Sequence, residues 1–181
     1  MPDHALPLPS DWLLRWVHLV RPGGSVLDLA CGSGRHVRGL ASEGFRVTAV
    51  DRDQAAVAPL ESLAEVIVAD LESEPWPLGG RSFDAVLVTN YLWRPLLPAI
   101  VAAVAPGGAL LYETFAAGQE TIGRPSRPDF LLQPGELLGA AGGLAVVAYE
   151  CGQSDQPLRF VQRIAAVRDA PGPVARHLCA V

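Results

Sequence analysis

Short apolar runs alternate along the chain with stretches whose apolar residues recur every three or four positions. That alternation predicts strands interleaved with helices. Residues 25–30 (SVLDLA), 45–50 (FRVTAV), 66–69, 83–88 (FDAVLV), 108–114 (GALLYET), 144–149 and 159–167 read as seven strands. Between them, 34–43 places Val37, Leu40 and Ala41 on one helical face, and 53–63 does the same with Val57 and Leu60. Asp53 can cap that second helix, and Pro59 within it predicts a late start or a kink. Residues 96–104 and 134–140 predict two more helices, the last with Pro134 in its first turn, where a missing N–H costs nothing. Ser10 and Asp11 offer a cap for an N-terminal helix within 10–22, stopped by Arg21-Pro22-Gly23-Gly24. The connection 71–82 carries Pro75, Pro77, Gly79 and Gly80, so no full helix is expected there. Residues 116–133 read as a long polar loop, and 150–158 suits a hairpin.

This order predicts an α/β, three-layer, Rossmann-like fold. A seven-stranded, mostly parallel sheet ends on an antiparallel strand, with helices on both faces. One domain over 1–181 accommodates all of it. In such sheets ligands bind at the carboxyl ends of the strands, near the point where strand order reverses. The residues just after each strand are therefore the ones to inspect.

Composition narrows the picture. Half of the 181 residues are hydrophobic and the net charge is −5. All 14 basic residues are Arg, with no Lys, and Asn90 is the one Asn. An acidic chain without a basic cluster is a poor generic partner for nucleic acid, so none is expected. No stretch is long and apolar enough to span a bilayer, and residues 1–9 lack the charged start and apolar run of a secretory leader. Cys31, Cys151 and Cys179 are odd in number and scattered, which reads as free thiols in a reducing cytoplasm. The four His (His4, His18, His36 and His177) do not fall with them at zinc-ligand spacing, so no metal site is expected.

The chemistry gathers in four successive strand-end turns. The first reads Asp28-Leu29-Ala30-Cys31-Gly32-Ser33-Gly34-Arg35. Gly32 and Gly34 let a ligand approach backbone where a Cβ would clash, and the helix start beyond them offers N–H groups. The second strand ends at Asp51, which can accept both hydroxyls of a ribose. The third ends at Asp70-Leu71, an acid for an exocyclic amine beside an apolar ring contact. The fourth ends at Thr89-Asn90-Tyr91.

This constellation resembles the class I S-adenosylmethionine-dependent methyltransferases over roughly 23–168. Within them, 27–51 most resembles small bacterial enzymes of the tellurite-resistance type. The family's acid-x-Gly-x-Gly-x-Gly turn appears here as Asp28-x-Ala30-x-Gly32-x-Gly34, with Ala for the first Gly. The resemblance implies S-adenosylmethionine as cofactor. It implies that Gly32 and Gly34 border its methionine part, that Asp51 holds its ribose, that Asp70 meets the adenine amine with Leu71 beside the ring, that Asn90 lies near the methionine moiety, and that Asp28, Ala30, Cys31 and Arg52 also line the cofactor. Residues 105–112 (APGGALLY) look like the family's turn into its fifth strand.

The expected reaction is in-line methyl transfer to a small-molecule acceptor, with the protein supplying alignment and exclusion of water. If a base is needed, Tyr91 and Glu113 are the first candidates, with Glu120 and His36 behind them. His36, in the first turn of its helix, is expected to be a solvated surface residue. Tyr91, Trp93 and Arg94 are candidates for the acceptor wall. The loop 116–133 is a candidate lid, with Arg124 or Arg127 meeting an anionic acceptor. Two rivals stand beside this reading. A nicotinamide-dependent oxidoreductase would need a third Gly where Val37 stands, and a non-catalytic protein of the same fold would not need Asp51 and Asp70. Neither the oligomeric state nor the acceptor has a motif of its own.

Overall fold

The computed structural model describes residues 8–170; residues 1–7, with His4, and residues 171–181, with His177 and Cys179, lie outside the described residues. Seven strands form one sheet: β1 (Ser25–Leu29), β2 (Arg46–Asp51), β3 (Glu65–Val68), β4 (Phe83–Thr89), β5 (Val104–Phe115), β6 (Ala145–Asp155) and β7 (Leu158–Val167). Their order is β3-β2-β1-β4-β5-β7-β6, parallel from β3 to β5, with β7 antiparallel to both of its neighbours. The expected architecture is therefore present. The strand order reverses at β1, which has β2 on one side and β4 on the other.

Alternation along each strand divides the apolar residues between two cores. Leu27 and Leu29 face one side, with Val86, Val88, Leu110 and Tyr112. Helices α4 (Leu97–Ala102) and α5 (Glu136–Ala140) cover that side through Ile100 and Leu137. Val26 faces the other, with Ala85, Leu87 and Leu111. There α1 (Asp11–Trp16) supplies Trp12, Leu13 and Trp16, α2 (Arg35–Ser42) supplies Val37 and Leu40, and α3 (Gln54–Val57) supplies Val57.

Several local expectations shift, each for a visible reason. The α1 helix is capped as predicted, Ser10 Oγ accepting from the Trp12 N–H at 3.1 Å, but after Trp16 it tightens into a 3₁₀ turn, Val17–Leu19. Pro59 ends α3 after one turn, and a 3₁₀ turn, Ala58–Leu60, carries Leu60 into the core. α5 starts at Glu136 rather than Pro134, because Gly135 takes φ +78° as its N-cap. The Pro-Gly-Gly segment read as a turn before the fifth strand lies inside β5. The register against β4 slips between Phe83 and Ala85, and Gly108 fits because a Cβ there would sit 2.8 Å from the Phe83 carbonyl. The hairpin expected over 150–158 shrinks to Gln156-Pro157, since β6 and β7 stay paired out to Asp155 and Leu158.

The segment 116–133 is pinned at its base. Ala116 bridges Leu132, Leu131 and Leu132 are buried, and Gln119 Oε1 accepts from the Phe160 N–H at 2.9 Å. Two 3₁₀ turns, Gln119–Thr121 and Pro128–Phe130, punctuate it. No helix among the described residues is long and apolar enough to cross a membrane.

Candidate active site

The turn after β1 is set by backbone conformation. Ala30, Gly32 and Gly34 take φ of +53°, +55° and +77°. Gly34 answers to packing as well as conformation: a Cβ there would come within 2.5 Å of the Leu60 methyls. Gly32 has open space beside its Cα. Ala30 holds a left-handed conformation that costs an L-residue about 1–2 kcal/mol. Asn90, at the end of β4, does the same at φ +54°, and its N–H donates to the Glu113 carbonyl at 3.0 Å. Non-glycine residues held this way gather where a binding site over-determines the backbone.

Asp51 joins the first two turns. Its Oδ2 accepts from the Gly32 N–H at 2.8 Å and its Oδ1 from the Asp53 N–H at 3.0 Å. Beside it opens a cleft of about 400 Å³ lined by Ala30, Asp51, Arg52, Ala69, Asp70, Leu71, Glu72 and Tyr91. The Asp70 carboxyl is held below the usual carboxylate range by the Glu72 N–H, the Ser73 side chain and the nearby Arg52. Tyr91 brings a buried hydroxyl with no protein partner. Burial, with Glu72 and Asp70 close by, pushes that phenol well above its ordinary value, so it stays protonated and acts as a donor. Its carbonyl accepts from the buried Tyr112 hydroxyl at 2.9 Å, which fixes the turn. The set fits a nucleoside: carboxylates for hydroxyls and an amine, an apolar edge at Leu71 and Ala69, and an unused phenolic donor.

On the α1–α2 side of the same edge lies a second cluster. Asp28 is fully buried, and neither carboxylate oxygen has a hydrogen-bond partner. Burial raises its pKa, against the pull of His36 and Arg35. His36 is 1% exposed, with Nδ1 3.7 Å from Asp28 Oδ2. The expectation of a solvated histidine is therefore wrong, because α2 turns that position inward against β1. Glu113 is as deeply buried. Ser10 Oγ donates to its Oε1, and the guanidinium groups of Arg163 and Arg159 approach its Oε2 at 2.9 and 3.5 Å.

The candidates thus separate. Asp51, Arg52, Asp70, Leu71, Ala30 and Tyr91 meet at one cleft, while Glu113 faces Ser10 and the arginines. Cys31 is buried beside the turn, its thiol driven up by burial and by Asp28 and Asp51. Trp93 is half-buried after β4. Arg94 is spent on bracing: its guanidinium donates to Glu136 at 2.6 and 3.0 Å and to the carbonyls of Asp129 and Leu131. Arg124 is exposed, and Arg127 pairs with Asp129 at 2.9 Å. Sequence reasoning missed Ser10, Arg159 and Arg163 at this edge. One signal was available: Arg159, Val161 and Arg163 alternate onto one face of a strand, an unusual place for two cations.

Residues 26–108 match the sequence profile of a methyltransferase domain. A ubiquinone biosynthesis O-methyltransferase of Xanthomonas campestris is 36% identical over 129 residues, 62% of this chain and 52% of its own length. A malonyl-[acyl-carrier protein] O-methyltransferase of Serratia marcescens is 31% identical over 106 residues, 54% of this chain and 40% of its own length. The chain therefore spans about half the length of the curated relatives it matches. Among solved structures, TehB from Haemophilus influenzae superposes with a TM-score of 0.70 at 19% identity, covering 89% of this chain and 63% of that one. A SAM-dependent methyltransferase from Methanosarcina mazei gives 0.69 at 16% identity, covering 91% of this chain and 100% of that one. At these identities the likeness is one of fold.

Proposed function

We propose that this chain is a class I S-adenosylmethionine-dependent methyltransferase, as its methyltransferase-domain match and O-methyltransferase relatives support, and that it transfers the cofactor's methyl group to a small-molecule acceptor by in-line displacement. The observation that carries this reading is the single cleft shared by Asp51, Asp70, Leu71 and Tyr91 beside the left-handed turn at Ala30 and Gly32. The cofactor supplies a methyl group already activated on a positively charged sulfur. What remains for the protein is to bind, orient and exclude water.

In this reading Asp51 accepts from the ribose hydroxyls, and its bond to Gly32 holds the carboxylate in place for them. Asp70 accepts from the adenine amine, and Leu71 and Ala69 lie against the ring. Tyr91 belongs to this adenosine end; as a phenol held protonated by burial, it donates and does not serve as the base. Gly32, Gly34, Cys31, Asn90 and the buried Asp28 surround the methionine end. Glu113 fixes Arg163 and Arg159, so no proton transfer is assigned to it. Trp93 and the segment 116–133, with Arg124 at its exposed tip, border the acceptor side. The matched relatives are O-methyltransferases, which supports an oxygen acceptor. The net charge of −5 argues against nucleic acid as substrate, and the free thiols Cys31 and Cys151 suit the cytoplasm.

The nicotinamide alternative is disfavoured because Val37, where a third glycine would stand, is fully buried in the core. Calorimetry decides between them. S-adenosylhomocysteine is expected to bind and NAD not to. Asp51→Ala removes two charge-assisted hydrogen bonds and is expected to weaken binding by about 3 kcal/mol, roughly a hundredfold. Binding of NAD alone, or an unchanged affinity in Asp51→Ala, overturns the assignment.

A further inference from the structure

The Arg-rich cluster at the carboxyl end of β5 and the amino end of β7 has more positive charge than it uses internally. Three guanidinium groups, those of Arg35, Arg159 and Arg163, belong to it. Arg163 spans Glu113 at 2.9 Å and Glu150 at 3.3 Å. Arg159 reaches Glu113 only at 3.5 Å, and its Nε is buried with no hydrogen-bond partner. Arg35, first residue of α2, has a terminal nitrogen in the same condition. The carboxylates within reach are Glu113, already shared, Asp28, which burial holds toward its neutral form, and Asp11. A buried guanidinium nitrogen without an acceptor is costly, and the group it lacks is a carboxylate or oxyanion oxygen.

The place is equally specific. Glu113 is the register partner of both Thr89 on β4 and Arg163 on β7, and its carbonyl accepts from the Asn90 N–H. The arginines therefore stand beside the end of β4, on the side where the methionine-bordering turn of 30–35 lies and away from the Asp70 cleft. Arg159 shares the strand face of Val161 and Arg163, so it cannot swing to the opposite layer without breaking β7.

Resting on the methyltransferase reading above, we propose that Arg159 and Arg35 form an anion site that receives a carboxylate or oxyanion carried by the methyl acceptor. Glu113 and Ser10 act as positioning residues that hold the arginines in place. Burial, with crowding by Arg163 and Arg35 and against the pull of Glu113, lowers the Arg159 pKa, which agrees with a site completed by a negative charge. The same chemistry is offered by the carboxylate of the cofactor's methionine, so the experiment separates the two sources.

The test is calorimetric titration of the protein loaded with S-adenosylhomocysteine, using benzoate and inorganic phosphate as probes and benzamide as the neutral control. At least one anion is expected to bind at millimolar concentration, with benzamide binding at least tenfold more weakly. Arg159→Met and Arg35→Met are each expected to weaken anion binding at least tenfold. Arg159→Lys is expected to retain part of it, and Arg46→Ala, at the amino end of β2, to change nothing. Retained S-adenosylhomocysteine affinity shows that a variant is folded; if one arginine variant does not fold, the other carries the test. Three results overturn the inference: neither anion binds the loaded protein; the anions bind only without S-adenosylhomocysteine, which assigns the site to the cofactor's own carboxylate; or binding is lost in Arg124→Ala and kept in Arg159→Met, which moves the anion to the segment 116–133. Failure of S-adenosylhomocysteine itself to bind the wild-type protein would instead remove the methyltransferase reading.

Discussion

The carboxyl edge of the sheet has two halves built by different means. From β1 to β4, the cleft is made of backbone: left-handed residues at 30, 32, 34 and 90, and carboxylates tied to N–H groups two residues on or in the neighbouring strand-end turn. At β5 and β7, it is made of side chains that meet from distant parts of the chain, Ser10, Glu113, Arg159 and Arg163. The first half can be specified by a few residues in sequence. The second exists only when the whole sheet is assembled. A ligand common to a family suits the first arrangement, and a ligand particular to one protein suits the second.

The largest effect should come from the side-chain half. Glu113→Ala leaves two nearly buried guanidinium groups facing each other and is expected to cost about 4 kcal/mol in urea or thermal unfolding. A cost below about 1 kcal/mol would mean that Glu150 and solvent satisfy the arginines without it. In the backbone half, Gly34→Ala is expected to cost about 3 kcal/mol, from the φ of +77° together with the clash on Leu60. Combining it with Leu60→Ala should cost less than the sum of the two single changes, because the clash is then relieved.

Ala30→Gly runs the other way: relief of the left-handed strain at φ +53° should offset the entropy of glycine and stabilise the fold by up to about 1 kcal/mol. Destabilisation would show that the methyl group is needed for packing. The smallest effect lies at the border of the two halves. The Asp28 carboxyl is raised in the folded state, so its penalty is absent below the ordinary carboxylate value and opens as pH rises through it. Asp28→Asn should therefore raise the melting temperature more at pH 7 than at pH 4. An equal change at both pH values would mean that the carboxyl titrates as it does in the unfolded chain, and a smaller gain at pH 7 than at pH 4 would mean that His36 holds it ionised.

The same division explains what the sequence reveals. Asp28, Gly32, Gly34, Asp51 and Asp70 are legible because each needs only its own strand end to be placed, and strand ends follow from apolar periodicity. His36 is not legible because it borders the apolar face of Val37 and Leu40, and a polar residue at the edge of that face does not say whether it is buried with it. Arg94 was misread for a related reason. Its partners, Glu136 and the carbonyls of 129 and 131, come from a segment whose path no local pattern predicts. The length of β5 escaped because Pro106, Gly107 and Gly108 carry turn composition, yet a register slip against β4 absorbs them into the strand. Tyr91 is placed by the same strand-end pattern, but the burial of its hydroxyl at the Asp70 cleft depends on the assembled fold.

The insertion of β7 between β5 and β6 has a consequence for the order in which the protein can be made. β5 can pair with β4 on one edge once residue 115 has left the ribosome, but its other edge is covered by 161–167. Until those residues leave the ribosome, a strand carrying Leu110, Leu111 and Tyr112 presents unpaired backbone to its surroundings. That interval is the time at which self-association competes with folding. Long-range closure of this kind also slows the final step. A chain shortened after β6 would keep every residue of the cleft at Asp51 and Asp70 and still be expected to aggregate.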